Sequence, residues 1–264
     1  MTGDVLLGAA VAIVVLMLIT WLVSLAWRDA SIVDPVWPLG FVLVVWVTRA
    51  IADGNGARQW LLVALVTVWG LRLSGYLAWR KRGAPEDFRY QAMRRHHGPR
   101  FPIVSLVTVF ALQGVLMWVV SLPAQLGQVR SSPDLGALAY AGIAAWVVGF
   151  GFETIGDAQL ARFKANPASV GQVMDRGLWR YTRHPNYFGD ACVWWGIALV
   201  AAETGIGALG IVGAVVMSVL LVRVSGVPML ERTMAKRRPG YADYVARTSG
   251  FIPRAPRPQR STSS

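Results

Sequence analysis

Residues 177–190 read Gly-Leu-Trp-Arg-Tyr-Thr-Arg-His-Pro-Asn-Tyr-Phe-Gly-Asp, the densest mixture of polar and aromatic side chains in a very apolar chain. A long apolar run follows at once, so the stretch is expected at a membrane boundary. Its basic side chains suit an anion, and Asn186 both donates and accepts hydrogen bonds. Asp190 is expected where the next helix begins, because a helix N-terminus favours a carboxylate. The stretch therefore predicts a site for a phosphate-bearing cofactor at the cytoplasmic mouth of a membrane-embedded cavity.

The composition predicts an all-α polytopic membrane protein. The 264 residues are 55% hydrophobic, and the mean hydropathy is +0.46. Soluble domains are rarely so apolar. We expect one transmembrane domain over residues 1–252, with its cofactor-binding half at about 135–252, and a disordered basic tail over 253–264. The net charge of +12 does not indicate nucleic-acid binding, because the charges lie in loops between apolar segments. With Cys192 as the single cysteine, and no acidic or Cys neighbours near the His pair at 96–97, no metal site is expected.

Hydropathy predicts seven membrane spans. They cover about 4–27, 35–51, 59–79, 102–122, 135–160, 187–202 and 205–224. Of the 26 basic residues, 21 lie within 80–100, 162–183 and 223–264, which follow the third, fifth and seventh spans. By the positive-inside rule these segments are cytoplasmic, so the N-terminus is expected outside and the C-terminus inside. No basic residue precedes the first apolar run, which therefore indicates a span rather than a cleaved signal peptide.

Ionisable residues at membrane depth mark the candidate site. In the fifth span, Glu153 and Asp157 are four residues apart and share one helix face. They either contact arginines at the cytoplasmic end (Arg162, Arg180 or Arg183) or accept hydrogen bonds from ribose hydroxyls or a carboxamide.

A second group of polar residues lies in spans two and three. Arg72 and Tyr76 share a face of span three, and Asp34 lies at the start of span two. An Asp34–Arg72 pair is either structural or polarises a substrate oxygen at the cavity floor. A carboxyl group in an apolar cavity can act as a proton donor. Tyr76 is either a second donor or an interfacial anchor.

Two charged segments lie outside the predicted spans. Residues 85–90 either fold over the cavity mouth or form a solvated charge run. The cluster Glu231, Arg232 and 236–238 either lies on the membrane surface or closes over cofactor phosphates. The chain has no Gly-x-Gly-x-x-Gly before a helix, so no Rossmann domain is expected.

These motifs resemble a known family. Residues 177–190, the acidic pair before them and the ending Arg-Pro-Gly-Tyr-Ala-Asp-Tyr at 238–244 resemble the C-terminal half of the steroid 5α-reductase superfamily. Ser-x-x-Asp-x-x-Trp at 31–37, Trp-Gly-Leu-Arg-Leu at 69–73 and Glu-Asp-x-Arg-Tyr at 86–90 resemble its bacterial DUF1295 branch. A related core, Arg-His-Pro-x-Tyr-x-Gly, occurs in isoprenylcysteine and phospholipid methyltransferases, which bind S-adenosylmethionine.

The resemblance implies a seven-span bundle with NADPH buried from the cytoplasmic side. Relatives bind the cofactor through residues matching Asp157, Lys164, Asn186 and Asp190. The full expected cofactor-binding set is Glu153, Asp157, Lys164, Arg180, Arg183, His184, Asn186, Tyr187 and Asp190.

For the chemistry, steroid-type reductases use a Glu on span two and a Tyr on span three. Asp34 lies about where that Glu falls, but Trp69 stands at the Tyr position and cannot protonate a substrate. The expected catalytic residues are therefore Asp34, Arg72 and Tyr76.

The expected function is NADPH-dependent reduction of a C=C bond in a lipophilic substrate (steroid-like, isoprenoid or fatty-acyl) in the bacterial inner membrane. The expected partners are this substrate and membrane lipids, without nucleic acid or a known protein partner. An S-adenosylmethionine-dependent methyltransferase and a non-catalytic lipid-binding protein are the alternatives. Asp190 after Gly189 and the acidic pair favour the reductase, because the methyltransferase branch usually lacks that aspartate.

Overall fold

The first three helices follow the predicted apolar runs closely. In the computed structural model, which describes residues 1–53, 56–130, 134–224, 226–227, 231, 234 and 238–257, they are α1 (Thr2–Trp27), α2 (Val33–Ile51) and α3 (Ala57–Lys81). A 3-10 turn, Ala30–Ile32, joins α1 to α2. These apolar stretches form helices because a membrane interior offers the backbone no other hydrogen-bond partners.

The remaining described helices differ widely in length, from the 29-residue α8 to short helices separated by irregular turns. They are α4 (Phe88–His97), α5 (Phe101–Ser105), α6 (Leu112–Val120), α7 (Leu122–Leu126), α8 (Ala137–Ala165), α9 (Pro185–Ala202), α10 (Ile211–Val219) and α11 (Tyr241–Arg247). π-helical turns occur at Leu106–Ala111 and Leu220–Val224, and 3-10 turns occur at Gly98–Arg100, Pro167–Ser169, Gly177–Arg180 and Ile206–Gly210. The residues that the structure describes form no β-strand.

The predicted class, an all-α polytopic membrane protein, is confirmed. Within the described ranges, six helical stretches are long and apolar enough to cross a membrane: Thr2–Trp27, Ala30–Ile51, Ala57–Lys81, Phe88–Val120, Ala137–Ala165 and Ile206–Val224. The predicted span at 187–202 forms α9 but is not among them, because polar residues such as Asn186 and Asp190 lower the hydropathy of its first turns. The number of spans in a membrane and their orientation stay predictions.

The chain divides into two compact units. The first unit comprises Met1–Gly142 and Ile197–Gly213, and the second comprises Ile143–Gly196 and Ala214–Ser264. The prediction of one domain over residues 1–252 is not tested by this division. Residues 258–264 of the predicted tail lie outside the described residues, so that prediction also stays open.

Aromatic packing forms the centre of the first unit. Phe41 and Trp69 are fully buried, and their rings meet edge to face with centroids 5.6 Å apart. Gly70 lets α3 approach α2 closely, since a Cβ there would lie 2.9 Å from the carbonyl oxygen of Pro38. Trp69, at the position where the family resemblance expects a tyrosine, is therefore a core residue.

A buried ion pair in the first unit links α3 to the turn after α9. Arg58 Nη2 lies 2.5 Å from Glu203 Oε2 and 2.8 Å from the carbonyl oxygen of Asp134. Glu203 also accepts hydrogen bonds from the backbone N–H groups of Gly136 (3.0 Å) and Ala139 (3.1 Å). The glutamate therefore satisfies N–H groups at the start of α8 that have no partner within the helix.

Candidate functional sites

The first candidate site surrounds Asp34, in the first turn of α2. Its Oδ1 accepts a hydrogen bond from the hydroxyl of Tyr90 (3.2 Å), and its Oδ2 lies 3.4 Å from Arg89 Nη2. Tyr90 is buried, whereas 31% of the Asp34 side chain is exposed. A carboxyl, a phenol and a guanidinium thus meet at one accessible point, and such a group can hold and transfer a proton.

The segment before α4 is attached to the turn before α2. Glu86 Oε1 accepts a hydrogen bond from the backbone N–H of Ala30 (2.8 Å) and lies 2.8 Å from Arg94 Nη2. The backbone N–H of Asp87 donates to Ser31 Oγ (3.1 Å). These contacts fix the start of α4 and explain why its next residues reach Asp34. Residues 85–90 were predicted either to fold over the cavity mouth or to be a solvated run, and the contacts exclude the solvated run.

Asp87 forms the N-cap of α4. Its Oδ1 accepts from the backbone N–H of Arg89 (3.0 Å) and pairs with Arg89 Nε (2.9 Å). Burial raises the pKa of Asp87, but the hydrogen bonds from Arg89 outweigh this, so the pKa lies below its usual value. Asp87 therefore stays ionised and holds the arginine beside Asp34.

The end of α3 is tied to the same turn. Lys81 lies 2.7 Å from Asp29 Oδ2 and also donates to Ser31 Oγ, while that hydroxyl donates to Asp29 Oδ1 (2.6 Å). Burial raises the pKa of Asp29, but the hydrogen bonds from Lys81 and Ser31 lower it by more, so the pKa of Asp29 lies below its usual value. This network holds the start of α2 against α3.

The predicted Asp34–Arg72 pair is wrong. Asp34 binds Arg89 and Tyr90, while the guanidinium of Arg72 lies over the ring of Tyr76, with Cζ 5.5 Å from the centroid. The prediction fails because of a tertiary contact: the hydrogen bond between Glu86 and the backbone of Ala30 places the start of α4 beside Asp34. Tyr76 also lies against Trp79, with ring centroids 6.0 Å apart.

The second candidate site lies in the second unit, on α8 and α9. Glu153 and Asp157 are buried on one face of α8, as predicted from their spacing. Asn186 Nδ2 donates to Asp157 Oδ1 over 3.2 Å. Among the described residues, none of Arg162, Arg180 and Arg183 pairs with either acid, so the predicted alternative of contact with these arginines is wrong.

Glycines bring α8 and α9 together at this point. A Cβ on Gly149 would lie 2.5 Å from the carbonyl oxygen of Gly189, and a Cβ on Gly189 would lie 2.5 Å from the backbone nitrogen of Glu153. These distances leave no room for a side chain. The close approach places the first turn of α9, with Asn186, beside Asp157.

The turn Gly177–Arg180 is fixed by aromatic side chains. Gly177 has a φ of +58°, in the left-handed region that favours glycine. Trp179 Nε1 donates to the carbonyl oxygen of Gly156 on α8 (3.0 Å). The carbonyl oxygen of Trp179 in turn accepts from the hydroxyl of Tyr244 on α11 (2.5 Å). Burial raises the pKa of Tyr244, so the phenol remains a donor.

The residues after α11 run back along the same motif. The backbone N–H of Arg183 donates to the carbonyl oxygen of Ser249 (2.9 Å), and Thr182 Oγ1 donates to that of Phe251 (2.8 Å). The backbone N–H of Arg254 donates to the carbonyl oxygen of Tyr181 (3.0 Å). We call residues 249–254 the C-terminal strap, since three of its backbone groups hydrogen-bond residues 181–183.

His184 and Arg183 share one carboxylate. Arg183 Nε lies 2.8 Å from Glu231 Oε1, and His184 Nε2 lies 3.2 Å from the same atom. The hydrogen bond with His184 lowers the pKa of Glu231 most, burial raises it, and Arg183 lowers it again, so the net shift is downward. His184 is buried and stacks on Tyr187, with centroids 5.6 Å apart. Its Nδ1 has no hydrogen-bond partner within the part of the chain that the structure describes.

Arg183 and Arg180 differ in what they offer a ligand. Arg183 also donates to the carbonyl oxygens of Val245 (3.1 Å) and Thr248 (2.8 Å), so it holds α11 and its following turn. Arg180 is exposed and lines a cleft of about 470 Å³. Other residues of this cleft are Asp175, Arg176, Arg247 and Arg257.

This arginine-lined cleft has a surplus of positive charge. Asp175 is paired with Arg247 (2.5 Å), and no described acid pairs with Arg176, Arg180 or Arg257. A second cleft of about 390 Å³ is lined by residues that include Arg183, Arg247, Arg254 and Arg257. Clustered guanidinium groups are suited to phosphate.

The other predicted cofactor residues are spread along α8 and α9. Lys164 is exposed in the last turn of α8, and Tyr187 is half-buried in the first turn of α9. Asp190 is buried one turn further along. The expectation that α9 begins at Asp190 is wrong, because the helix begins at Pro185, whose missing N–H suits a first helical position.

Sequence reasoning missed two partners. Glu231 was seen only as part of a charged cluster, and its pairing with His184 links residues 47 positions apart. The other members of that cluster, at 232, 236 and 237, lie outside the described residues. Tyr90 was predicted to lie in a loop without a specific role. In the structure its hydroxyl donates to Asp34, which makes it a candidate site residue. Within the described residues, no group of three His, Cys, Asp or Glu side chains could hold a metal ion.

The apolar helices and the buried ionisable residues define an α-helical polytopic membrane protein. A sequence profile of the family described as "Protein of unknown function (DUF1295)" matches residues 20–248, so the chain belongs to the DUF1295 family. It is also similar to "Uncharacterized protein C594.04c" of Schizosaccharomyces pombe (strain 972 / ATCC 24843), with 24% identity over 272 residues, covering 89% of this chain and 76% of that protein. No solved structure matches the chain.

Proposed function

We propose that the protein is a membrane-embedded NADPH-dependent reductase of a C=C bond in a lipophilic substrate. The main support for this proposal is the arginine-lined cleft at the turn Gly177–Arg180. This turn belongs to the motif that resembles the steroid 5α-reductase superfamily. A surplus of guanidinium groups suits the phosphates of NADPH. It suits S-adenosylmethionine less well, because that cofactor has one carboxylate, a positively charged sulfonium and amino group, and no phosphate.

The residues of the second unit fit such a cofactor. Arg180 would bind a phosphate, while the buried Asp157 and the half-buried Asn186 offer an acceptor and an amide to ribose hydroxyls or a carboxamide. Glu153 lies on the same face. The buried Nδ1 of His184 adds a polar atom for which the described residues supply no partner, and a buried nitrogen of this kind calls for one.

The remaining cofactor residues have supporting roles. Arg183 would position His184 through Glu231 rather than contact the cofactor. Tyr187 holds the imidazole plane by stacking. Lys164 and Asp190 keep the roles that the family resemblance implies.

Proton transfer is assigned to the first unit. When bound, NADPH supplies a hydride, and the protein must supply the proton and stabilise negative charge on the substrate. We assign the proton donor to Asp34 together with Tyr90, which are hydrogen-bonded over 3.2 Å. Tyr90 takes the role proposed for Tyr76 from the sequence. Arg89 replaces Arg72 as the cation beside Asp34 and is held there by Asp87.

Cofactor binding is tested with the full-length protein in mild detergent. Titration with NADPH, followed by the fluorescence of the reduced nicotinamide, should give saturable binding. Arg180→Ala should weaken it about tenfold, since a charge-assisted hydrogen bond contributes about 1.5–3 kcal/mol. Arg162→Ala removes an exposed arginine outside the cleft and should bind like the wild type.

A second variant tests the hydrogen-bonded pair of Asp157 and Asn186. Asn186→Ala should also weaken NADPH binding about tenfold or more, because Asp157 loses its amide donor. If Arg180→Ala and Asn186→Ala both bind NADPH like the wild type, the cofactor site is wrong. If the wild type binds S-adenosylmethionine and not NADPH, the methyltransferase alternative replaces the reductase.

The proton donor is tested by Tyr90→Phe and Asp34→Asn. NADPH oxidation in the presence of a total lipid extract should fall by about two orders of magnitude in each variant, with NADPH affinity unchanged. Tyr76→Phe is the matched control and should keep its activity. Full activity of both Tyr90→Phe and Asp34→Asn would exclude this assignment.

A further inference from the structure

An apolar groove of about 510 Å³ lies in the first unit, between α1, the start of α2 and the end of α3. Its walls are formed by Leu16, Ile19, Val23, Ile32, Val36 and Leu39. Trp27 and the basic residues Lys81 and Arg82 line it where α1 and α3 end. The groove is therefore apolar along its length and basic at one end.

The shape of the groove follows from the helix repeat. Leu16, Ile19, Val23 and Trp27 lie on successive turns of one face of α1. At 1.5 Å per residue this face is roughly 16 Å long, which is the scale of an acyl chain. Thr20 on the same face donates its hydroxyl to the carbonyl oxygen of Leu16 (2.7 Å), so the wall presents no unsatisfied donor.

The acids at the basic end are already engaged. Asp29 is paired with Lys81 (2.7 Å), Glu86 with Arg94 (2.8 Å) and Asp87 with Arg89 (2.9 Å). Asp34, in the first turn of α2, shares Arg89 with Asp87, so each of these acids already has a basic partner. These three pairs are all attached to the turn before α2 or to the start of α4.

Arginines at this end are in surplus. Arg82 is exposed and forms no ion pair with the residues that the structure describes. Arg28, next to Trp27, is likewise exposed and without an ion pair among them. Arg80 lies over the ring of Tyr76, with Cζ 5.7 Å from the centroid. The end of the groove thus carries net positive charge beside an interfacial tryptophan that is 70% exposed.

We propose that this groove binds an anionic phospholipid, with an acyl chain along the wall of α1 and α2 and its headgroup phosphate at Arg82. The apolar wall requires a lipid rather than free phosphate, and the surplus of arginine requires a net negative headgroup. None of the groove-lining residues is among those assigned to cofactor binding or proton donation, so the proposal does not depend on the proposed function.

The test uses the full-length protein in mild detergent and native mass spectrometry. Dioleoyl-phosphatidylglycerol and dioleoyl-phosphatidylcholine are added at equal concentration, and bound lipid is counted as collision energy rises. The wild type should retain phosphatidylglycerol preferentially. Arg82→Ala should reduce this retention about fivefold, since one interfacial cation has an effect of that size. Arg82→Lys should keep most of it.

Two further variants separate the groove from general surface charge. Arg95→Ala removes an exposed arginine of α4 that does not line the groove and should leave retention unchanged. Ala78→Phe fills the groove beside Arg82 without changing charge and should reduce retention of phosphatidylglycerol. Unchanged melting temperatures show that the variants fold.

Three results would overturn the proposal. One is equal retention of the two lipids by the wild type. Another is a loss in Arg95→Ala as large as that in Arg82→Ala, which would indicate charge alone. The last is displacement of phosphatidylglycerol by inorganic phosphate, which would indicate an anion site without an acyl chain.

Discussion

Removing Glu203 should destabilise the first unit more than removing Arg58. The Arg58 side chain is 3% exposed, and within the described residues its Nε and Nη1 have no hydrogen-bond partner. Glu203→Ala therefore leaves a buried cation without its counter-charge, at a cost of about 3–5 kcal/mol. It also removes the acceptor of the Gly136 N–H before α8, whereas the N–H of Ala139 keeps the carbonyl oxygen of Gly136.

Arg58→Met should cost less. The Glu203 side chain is 14% exposed and keeps two backbone donors when the arginine is gone. A carboxylate hydrogen-bonded in this way is partly satisfied, so we expect a loss of about 1–2 kcal/mol. The double variant should cost clearly less than the sum of the two single changes, because both remove one interaction.

The stability that the Arg58–Glu203 pair contributes should depend on pH. Burial raises the pKa of Glu203, but hydrogen bonds from Gly136, Ala139 and Arg58 lower it more, so the folded-state pKa lies below the unfolded one. A depressed pKa contributes stability above the unfolded value, about 4.3, and this stability is lost as pH falls through the folded value. Glu203→Gln should lower stability at neutral pH and have less effect in strong acid.

The assay is the apparent melting temperature in detergent, followed by tryptophan fluorescence. Domains of this size shift by about 2–4 °C per kcal/mol, so Glu203→Ala should lower the value by roughly 10 °C and Arg58→Met by a few degrees. Equal effects, or a larger effect of Arg58→Met, would refute the reasoning. Additive losses in the double variant would show that the two side chains act independently.

Three other predictions follow from the second unit and the topology. Glu231→Gln should lower the apparent melting temperature at neutral pH, and the loss should shrink as pH falls below the ordinary glutamate pKa and through the lower folded-state pKa of Glu231; an equal loss at neutral pH and in strong acid would contradict this. Gly149→Ala should cost about 1–3 kcal/mol, since its Cβ would meet the Gly189 carbonyl oxygen, whereas Gly151→Ala meets open space and should be neutral or mildly stabilising; similar melting temperatures for the two would argue against the close approach. A reporter fused after residue 264 should be active only in a cytoplasmic format, and activity of a periplasmic reporter would reject the predicted orientation.

The helices and the acidic face of α8 could be predicted because their signals are local. Hydropathy gives the long apolar segments, and a spacing of four residues places Glu153 and Asp157 on one face. The sequence also contains a signal for the start of α9, since Pro185 is a typical first helical residue. The helix start was instead predicted at Asp190, five residues too late.

The partners of the site residues could not be predicted because they depend on tertiary contacts. Asp34 meets Tyr90 because Glu86 binds the backbone of Ala30 and Asp87 binds Ser31, each 56 residues earlier. Nothing in the spacing distinguishes Arg89 from Arg72 as its cation. In the same way, the carboxylate shared by His184 comes from Glu231, beyond the predicted last span. The sequence supplies the ionisable groups, and long-range packing decides which of them pair.

The C-terminal strap limits how the protein can be shortened. Its backbone groups hydrogen-bond residues 181–183, so these residues cannot all be satisfied without it. Truncation after residue 257 keeps the strap, whereas truncation at 248 removes it and should leave the motif open to proteases. An affinity tag therefore belongs beyond residue 257, where it leaves every hydrogen bond of the strap in place.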